Sequence, residues 1–210
     1  MFCLKSPKTK NNKPVGLFGG TFNPIHIGHI EIARQAYREL NLQKVIVMPS
    51  GRPPHKRNME IEDEDARCAM VKLAIEDYPE LEFSDYEIFK EGYSFSSDTL
   101  TEFVKLYQDI YFIIGADSLF QIENWHCPEI VMELAVIAVA NRDNHAAEEL
   151  YAQARHLSEK YRARIKFLHM RDMPVSSSEI RERIKNGKPV TGMLSPKVEN
   201  FIYRNGLYGN

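Results

Sequence analysis

Residues 15–29 read VGLFGGTFNPIHIGH, an apolar run that passes through a glycine-rich turn into a helical pattern. Val15 to Phe18 predicts a short buried strand, and the turn signal at Gly19 and Gly20 ends it. From His29 onward the apolar residues recur on one stripe, as in an amphipathic helix. These residues therefore predict a strand, a tight turn and a helix in direct succession.

The rest of the chain alternates strand and helix patterns in the same way. Further strands are predicted at Val45 to Met48, Leu81 to Phe83, Ile110 to Ile114, Leu134 to Ala140 and Ile165 to Leu168. Helices are predicted through Ala66 to Ala74, from a cap at Asp98 to Tyr107, through Leu150 to Leu157, and from Ser176 and Ser195. Such alternation predicts an α/β fold, a doubly wound Rossmann-like parallel sheet with helices on both faces and a short C-terminal helical segment.

The bulk composition indicates one ordinary domain. The chain has 210 residues and 43% hydrophobic content, which is ample for a packed core. We assign residues 15–210 to a single domain, in which 176–210 form a C-terminal helical segment that completes the site. Met1 to Pro14 carries four lysines but no apolar segment, so we predict a flexible basic tail rather than a signal peptide.

Charge and cysteine usage argue against several kinds of partner. The formal net charge of -2 gives no basic footprint for nucleic acid. The longest purely apolar run, Leu134 to Ala140, is too short to span a bilayer. Cys3, Cys68 and Cys127 form no C-x-x-C pair, which suits a reducing compartment. We therefore expect a cytoplasmic protein without nucleic-acid or membrane partners.

Polar and glycine-rich segments follow the predicted strands. They are residues 19–29, 49–56, 115–118, 141–143 and 174–181. In parallel α/β sheets ligands bind beyond the carboxyl ends of the strands. These segments are therefore expected to converge on one rim of the sheet and to form a ligand site there.

The first candidate phosphate site is the glycine-rich turn with its two histidines. Glycines let backbone N–H groups approach an anion, and a helix N-terminus adds positive potential. His26 and His29 are three residues apart around Gly28, so both imidazoles can donate hydrogen bonds to phosphate oxygens from one side. The segment has neither the G-x-G-x-x-G nor the P-loop pattern, which argues against a dehydrogenase and a P-loop kinase.

The second candidate phosphate site lies near the other end of the chain. Ser176, Ser177 and Ser178 precede a helical pattern and supply capping hydroxyls. Arg181 sits one turn further on, and long helical side chains lean back toward the N-terminus. Its guanidinium can therefore reach an anion held at the same helix start.

Both segments resemble the signatures of the H-x-G-H nucleotidyltransferase superfamily, whose members attack the α-phosphate of a nucleoside triphosphate. His26 to His29 matches H-x-G-H, although Asn23 stands where the commoner form has Asp. Val175 to Arg181 is similar to I-S-S-T-x-x-R, with Val175 for Ile and Ser178 for Thr. The resemblance implies transfer of a nucleotidyl group with release of pyrophosphate.

Three further stretches are similar to the bacterial nicotinate mononucleotide adenylyltransferases. They are PSGRPPHK at residues 49–56, SFSSDTL at 94–100, and GADS at 115–118 followed by Trp125-His126. With the two signatures, the similarity covers nearly the whole chain from Val15. It implies transfer of the adenylyl group of ATP to nicotinate mononucleotide in NAD biosynthesis, with Mg²⁺ carried by ATP and pyrophosphate.

The motifs and the resemblance together assign a role to each candidate residue. The residues expected to be catalytic are His26, His29, Lys56 and Arg181. Contacts with ATP are assigned to Gly19, Gly20, Thr21, Phe22, Gly28, Gly115, Asp117, Arg142, Ser176 and Ser177. Contacts with nicotinate mononucleotide are assigned to Asn23, Lys56, Ser96 and Trp125. No metal ligand is expected from the protein itself.

Several alternatives stay open at this point. Trp125 is either a stacking surface for the pyridine ring or a core residue, and Asp117 either contacts ribose or Mg²⁺ or caps a helix. Ser96 and Phe95 replace the Thr and Tyr that the family usually shows. The rival acceptors are nicotinamide mononucleotide and phosphopantetheine, and the rival to an enzyme is an ATP-binding sensor. Assembly into a homo-oligomer is also left open.

Overall fold

The computed structural model describes residues 13–51, 62–141, 147–170 and 173–209, and six strands form one sheet in these segments. The strands are β1 (Val15–Gly20), β2 (Val45–Pro49), β3 (Leu81–Phe83), β4 (Ile110–Gly115), β5 (Val136–Ala140) and β6 (Arg164–Leu168). All neighbouring strands pair in parallel, in the order β3-β2-β1-β4-β5-β6. The doubly wound parallel sheet predicted from the sequence is confirmed.

Helices cover both faces of this sheet. They are α1 (Ile27–Glu39), α2 (Glu64–Ile75), α3 (Tyr86–Phe89), α4 (Ser96–Phe103), α5 (Ala116–Gln121), α6 (Pro128–Leu134), α7 (Ala147–Tyr161), α8 (Ser177–Lys185) and α9 (Pro196–Arg204). Because strand side chains alternate, Leu17 and Phe18 belong to two different apolar clusters. The cluster around Phe18 takes apolar residues of α1, α2, α8 and α9, and the cluster around Leu17 takes those of α4 to α7.

The winding of the sheet reverses between β1 and β4, and the two strands separate there. Their paired residues extend from Val15 and Ile110 to Leu17 and Phe112. By contrast, β1 stays paired with β2 up to Gly20, and β4 stays paired with β5 up to Gly115. A cleft therefore opens at the carboxyl ends of β1 and β4, which is where doubly wound sheets bind their ligands.

The strand predicted at Leu134 to Ala140 is shorter than its apolar run. β5 begins at Val136, and Leu134 is the last residue of α6, which starts with Pro128 at its first turn. A short apolar run does not by itself distinguish the end of a buried helix from a buried strand. The short helices α3, α5 and α6 were not predicted, because each is too brief to establish a helical period.

The helix predicted from Asp98 begins and ends earlier than expected. α4 starts at Ser96 with Phe95 as its N-cap residue, and Asp98 forms an ion pair with Lys90 at 2.5 Å instead of capping the helix. An aspartate in the first turn is favourable near the positive end of a helix, whether or not it is the cap. The helix ends at Phe103, so Tyr107 lies beyond it.

The two C-terminal helices begin as predicted. The Ser176 hydroxyl accepts the backbone N–H of Glu179 at the start of α8, and Ser195 caps α9 in the same way. The predicted tail of residues 1–14 lies outside the described segments except for its last two residues. None of the helices in the described segments is long and apolar enough to cross a bilayer.

Candidate active site

The loop from β1 to α1 is shaped by its glycines. A Cβ built at Gly19 meets no described atom within 4 Å, so this position faces open space at the rim. A Cβ at Gly20 would lie 2.8 Å from the ring of Phe22, which is buried and has a positive φ of 48°. Glycine at position 20 therefore lets the Phe22 ring fold beneath the loop. Phe22 as a whole is buried, and its contact with ATP stays a prediction.

The two histidines of the first motif stack on each other at the start of α1. The ring centroids of His26 and His29 are 3.7 Å apart, with an interplanar angle of 27°. The backbone N–H of His26 donates to Nδ1 of His29 at 3.2 Å. Since an accepting ring nitrogen carries no hydrogen, the neutral His29 ring holds its proton on Nε2, from which it can be donated to an anion. The edge of Phe22 packs against His29 at 5.1 Å.

The second motif packs directly on the loop of the first. Nη1 of Arg181 donates to the carbonyl oxygen of Asn23 at 2.8 Å, and the Ser177 hydroxyl donates to the carbonyl oxygen of Pro24 at 2.9 Å. Nη2 of Arg181 also reaches back to the Ser178 hydroxyl at 3.3 Å, in agreement with the predicted backward lean. The two motifs, far apart in sequence, therefore meet at one end of the sheet.

Gly28 lies where α1 packs against the segment before α8. From the sequence we assigned Gly28 a contact with ATP. In the structure a Cβ at Gly28 would lie 3.0 Å from Cγ1 of Val175 and 3.1 Å from the His26 ring. Gly28 thus allows the segment before α8 to pack closely against α1, and its contact with ATP stays a prediction.

A buried arginine organises the rim and was not foreseen from the sequence. Arg67 is only 1% exposed, and Nη1 donates to the carbonyl oxygens of Thr21 at 2.9 Å and Ser50 at 2.8 Å. Its Nε donates to the carbonyl oxygen of Glu62 at 3.2 Å. Burial lowers the pKa of the guanidinium. The dipoles of the three carbonyl groups stabilise its positive charge. The available signal was an arginine on the same helical stripe as Met70.

Asn23 is held from several directions. Its side chain is buried, and Oδ1 accepts the backbone N–H of Glu62 at 3.2 Å and the hydroxyl of Tyr208 at 3.0 Å. Its carbonyl oxygen accepts from Arg181. The side-chain oxygen thus has a role inside the protein, and contact with nicotinate mononucleotide stays a prediction.

The residues assigned to the mononucleotide lie on two adjoining segments. Ser96 is the first residue of α4, and Trp125 follows a 3-10 turn at Ile122–Asn124. The rings of Phe95 and His126 stack at 4.2 Å, which joins the segments next to Ser96 and Trp125. Trp125 is half-buried and meets Phe112 edge-on at 6.2 Å, so it combines core packing with an accessible part.

β4 is the neighbour of β1 in the sheet, and its end lies at the cleft where the two strands separate. A Cβ at Gly115 meets no described atom within 4 Å, and Gly115 is the N-cap residue of α5. Asp117 is exposed in the first turn of that helix, so the alternative that it is the N-cap residue is wrong. Its contact with ribose or Mg²⁺ stays a prediction.

Two assigned residues, Lys56 and Arg142, lie outside the described segments. Within those segments no group of three or more His, Cys, Asp or Glu side chains is arranged to hold a metal ion. A cavity of about 140 Å³ lies between the first turns of α1, the end of α2 and Met173. Of the assigned residues that the described segments contain, His26 alone borders this cavity, and neither Gly19 nor Gly115 lines it.

The chain is similar to known nucleotidyltransferases over most of its length. Residues 17–183 match the family described as cytidylyltransferase-like. A protein of Lachnoclostridium phytofermentans named "Probable nicotinate-nucleotide adenylyltransferase" is 42% identical over 198 residues, covering 93% of this chain and 99% of the relative. A Clostridium tetani protein of the same name is 41% identical, with the same coverage.

A solved structure shares the fold. The nicotinic acid mononucleotide adenylyltransferase of Plasmodium falciparum, complexed with NaAD, superposes with a TM-score of 0.78 at 16% identity. The match covers 93% of this chain and 97% of the other. At this identity the likeness concerns the fold alone.

Proposed function

We infer the function of this chain from its family: it belongs to the nicotinate-nucleotide adenylyltransferases, within the cytidylyltransferase-like family. It transfers the adenylyl group of ATP to nicotinate mononucleotide, giving nicotinate adenine dinucleotide and pyrophosphate. The observation that carries this proposal is the contact between the two motifs. Arg181 and Ser177 bind the carbonyl groups of Asn23 and Pro24, immediately before the stacked histidines.

The reaction is an in-line displacement at the α-phosphorus of ATP. A phosphate oxygen of the mononucleotide forms a bond to that phosphorus while the bond to the bridging oxygen of pyrophosphate breaks. A phosphate monoester is largely ionised at neutral pH, so no general base is required. Catalysis then consists of positioning and of stabilising the negative charge of the transition state.

The residues of the rim divide this work. His29, with its proton on Nε2, donates to an oxygen of the α- or β-phosphate. His26 was predicted to bind the same phosphates, but it is only 2% exposed, so in this scheme it supports the His29 ring by stacking. Arg181 has five N–H donors, of which the contacts with Asn23 and Ser178 use only some, so its guanidinium can also bind phosphate. The N-terminus of α8, capped by Ser176, favours the leaving pyrophosphate.

The acceptor occupies the side of the cleft nearer Ser96 and Trp125. A half-buried tryptophan ring offers a flat apolar face for the pyridine ring, which favours a pyridine mononucleotide over phosphopantetheine. Mg²⁺ enters as part of the ATP substrate and supplies charge neutralisation on the phosphates. We also propose that the protein is cytoplasmic.

One assay tests the proposal against its rivals. The protein is incubated with ATP and Mg²⁺ plus nicotinate mononucleotide, nicotinamide mononucleotide or phosphopantetheine in turn, and pyrophosphate and the adenylylated product are measured. We expect the fastest turnover with nicotinate mononucleotide. Faster turnover with another acceptor would identify that acceptor as the substrate in place of nicotinate mononucleotide. Binding of ATP without pyrophosphate release for any acceptor would favour a sensor.

A further inference from the structure

The segment after α9 returns to the loop that carries the histidines. The hydroxyl of Tyr208 donates to Oδ1 of Asn23 at 3.0 Å, across 185 positions of sequence. Its backbone N–H donates to Oε1 of Glu62 at 3.1 Å. The backbone N–H of Glu62 in turn donates to the same oxygen of Asn23, at 3.2 Å. Three segments of the chain therefore meet at a single amide side chain.

Tyr208 is held in this place by its surroundings. Its φ of 65° lies in the left-handed region, which a bulky side chain adopts only when other contacts fix it. Its ring packs against the apolar cluster around Phe18. Burial, and then the charge of Glu62, raises the pKa of the Tyr208 hydroxyl, so it keeps its proton and remains a donor at neutral pH.

The contact acts on the part of the loop that leads into the histidines. Asn23 precedes His26 by three residues, and its carbonyl oxygen is bound by Arg181 while its side-chain oxygen is bound by Tyr208. Asn23 is thereby fixed at both its backbone and its side chain. Small displacements of catalytic groups cause large losses of rate. By fixing Asn23, these two hydrogen bonds limit the displacement of the His26 and His29 rings that follow it.

We propose that Tyr208 is a positioning residue for adenylyl transfer, whose hydroxyl holds Asn23 and so sets the place of His26 and His29. This inference rests on the proposed function. Tyr208 touches neither reacting atom in this scheme and acts only through the loop. The hydroxyl matters for the transition state more than for binding, because the negative charge on the phosphate oxygens that His29 binds is greatest there.

The first test removes the hydroxyl alone. Tyr208→Phe keeps the packed ring and is expected to lower kcat about 3- to 10-fold, the effect of one lost hydrogen bond, with both KM values within about twofold. The matched control is Tyr203→Phe, a tyrosine of α9 with 45% exposure, which should leave kcat unchanged. An unchanged kcat in Tyr208→Phe together with a lower melting temperature would indicate a purely structural role and overturn the proposal.

A second test asks whether the effect passes through Asn23. In an Asn23→Ala background the hydroxyl can no longer hold the loop through the amide oxygen, so adding Tyr208→Phe should change kcat by less than about 1.5-fold. Independent, multiplying effects of the two substitutions would show that Tyr208 acts by another route.

A third measurement does not depend on turnover. Hydrogen–deuterium exchange of peptides covering residues 21–30 should be faster in Tyr208→Phe than in the parent protein, while Tyr203→Phe should match the parent. Unaltered exchange in this loop would overturn the positioning role even if the enzymatic proposal holds. Absence of turnover in the parent protein, by contrast, would remove the enzymatic proposal and leave the loop measurement to decide whether Tyr208 fixes Asn23.

Discussion

Replacing Arg67 by Met should destabilise the protein more than any ordinary surface substitution. Arg67 is buried, and its guanidinium donates to the carbonyl oxygens of Thr21, Ser50 and Glu62. Methionine is flexible and fills much of the same space but donates no hydrogen bond. Each carbonyl left without a donor costs about 1–3 kcal/mol, and partial access of water recovers some of it. We expect a loss of about 3–5 kcal/mol, a large share of the ~5–15 kcal/mol of a typical domain.

Urea unfolding followed by fluorescence measures this loss as a change in the free energy of unfolding. Arg183→Met is the matched control, because Arg183 lies on the surface of α8 in an ion pair with Glu179. That substitution should cost no more than about 0.5 kcal/mol. A loss below about 1.5 kcal/mol for Arg67→Met would refute the reasoning, since it would mean that the three carbonyl groups do not depend on the guanidinium.

Three further predictions concern the site and a buried acid. His29→Ala should lower kcat about 10²- to 10³-fold, as removal of one oxyanion donor does, and turnover within about threefold of the parent in steady-state assays would exclude the phosphate contact. Trp125→Ala should raise KM for nicotinate mononucleotide about tenfold or more, with much less effect on KM for ATP, whereas equal effects on both would argue against stacking. Burial raises the pKa of Glu87, whose Oε1 accepts a hydrogen bond from the Thr99 hydroxyl. The folded state therefore binds the proton more tightly than the unfolded chain, and stability falls as pH rises from the ordinary carboxyl pKa through the raised one. Glu87→Gln should be more stable than the parent by unfolding at about pH 8, and this advantage should vanish near pH 4; a constant difference would contradict the assignment.

The strands could be predicted because their information is local. Val45 to Met48 and Ile110 to Ile114 are continuous apolar runs bounded by turn signals, and both lie within strands of the sheet. The order of the strands was not predicted, because it depends on which helix crosses which face. The boundary at Leu134 was placed wrongly, since the end of α6 and the start of β5 form one apolar run.

The motifs of the site were visible in sequence, but the residues that hold them were not. His26, His29 and Arg181 stand in recognisable motifs. Arg67 lies in α2 and Tyr208 in the segment after α9, and neither is part of such a motif. Their roles arise from hydrogen bonds across 46 and 185 positions. No local pattern encodes such contacts, so only the folded chain reveals them.

The docking of α8 on the loop before the histidines has a consequence for synthesis. Ser177 and Arg181 bind carbonyl groups that lie 153 and 158 positions earlier in the chain. At about 5–20 residues per second, a ribosome makes the histidines roughly 8–30 s before it makes their supports. We expect the nascent chain to remain inactive during this interval, because the loop before the histidines lacks its hydrogen bonds from α8. The first turnover therefore has to wait until α8 has been made and has docked.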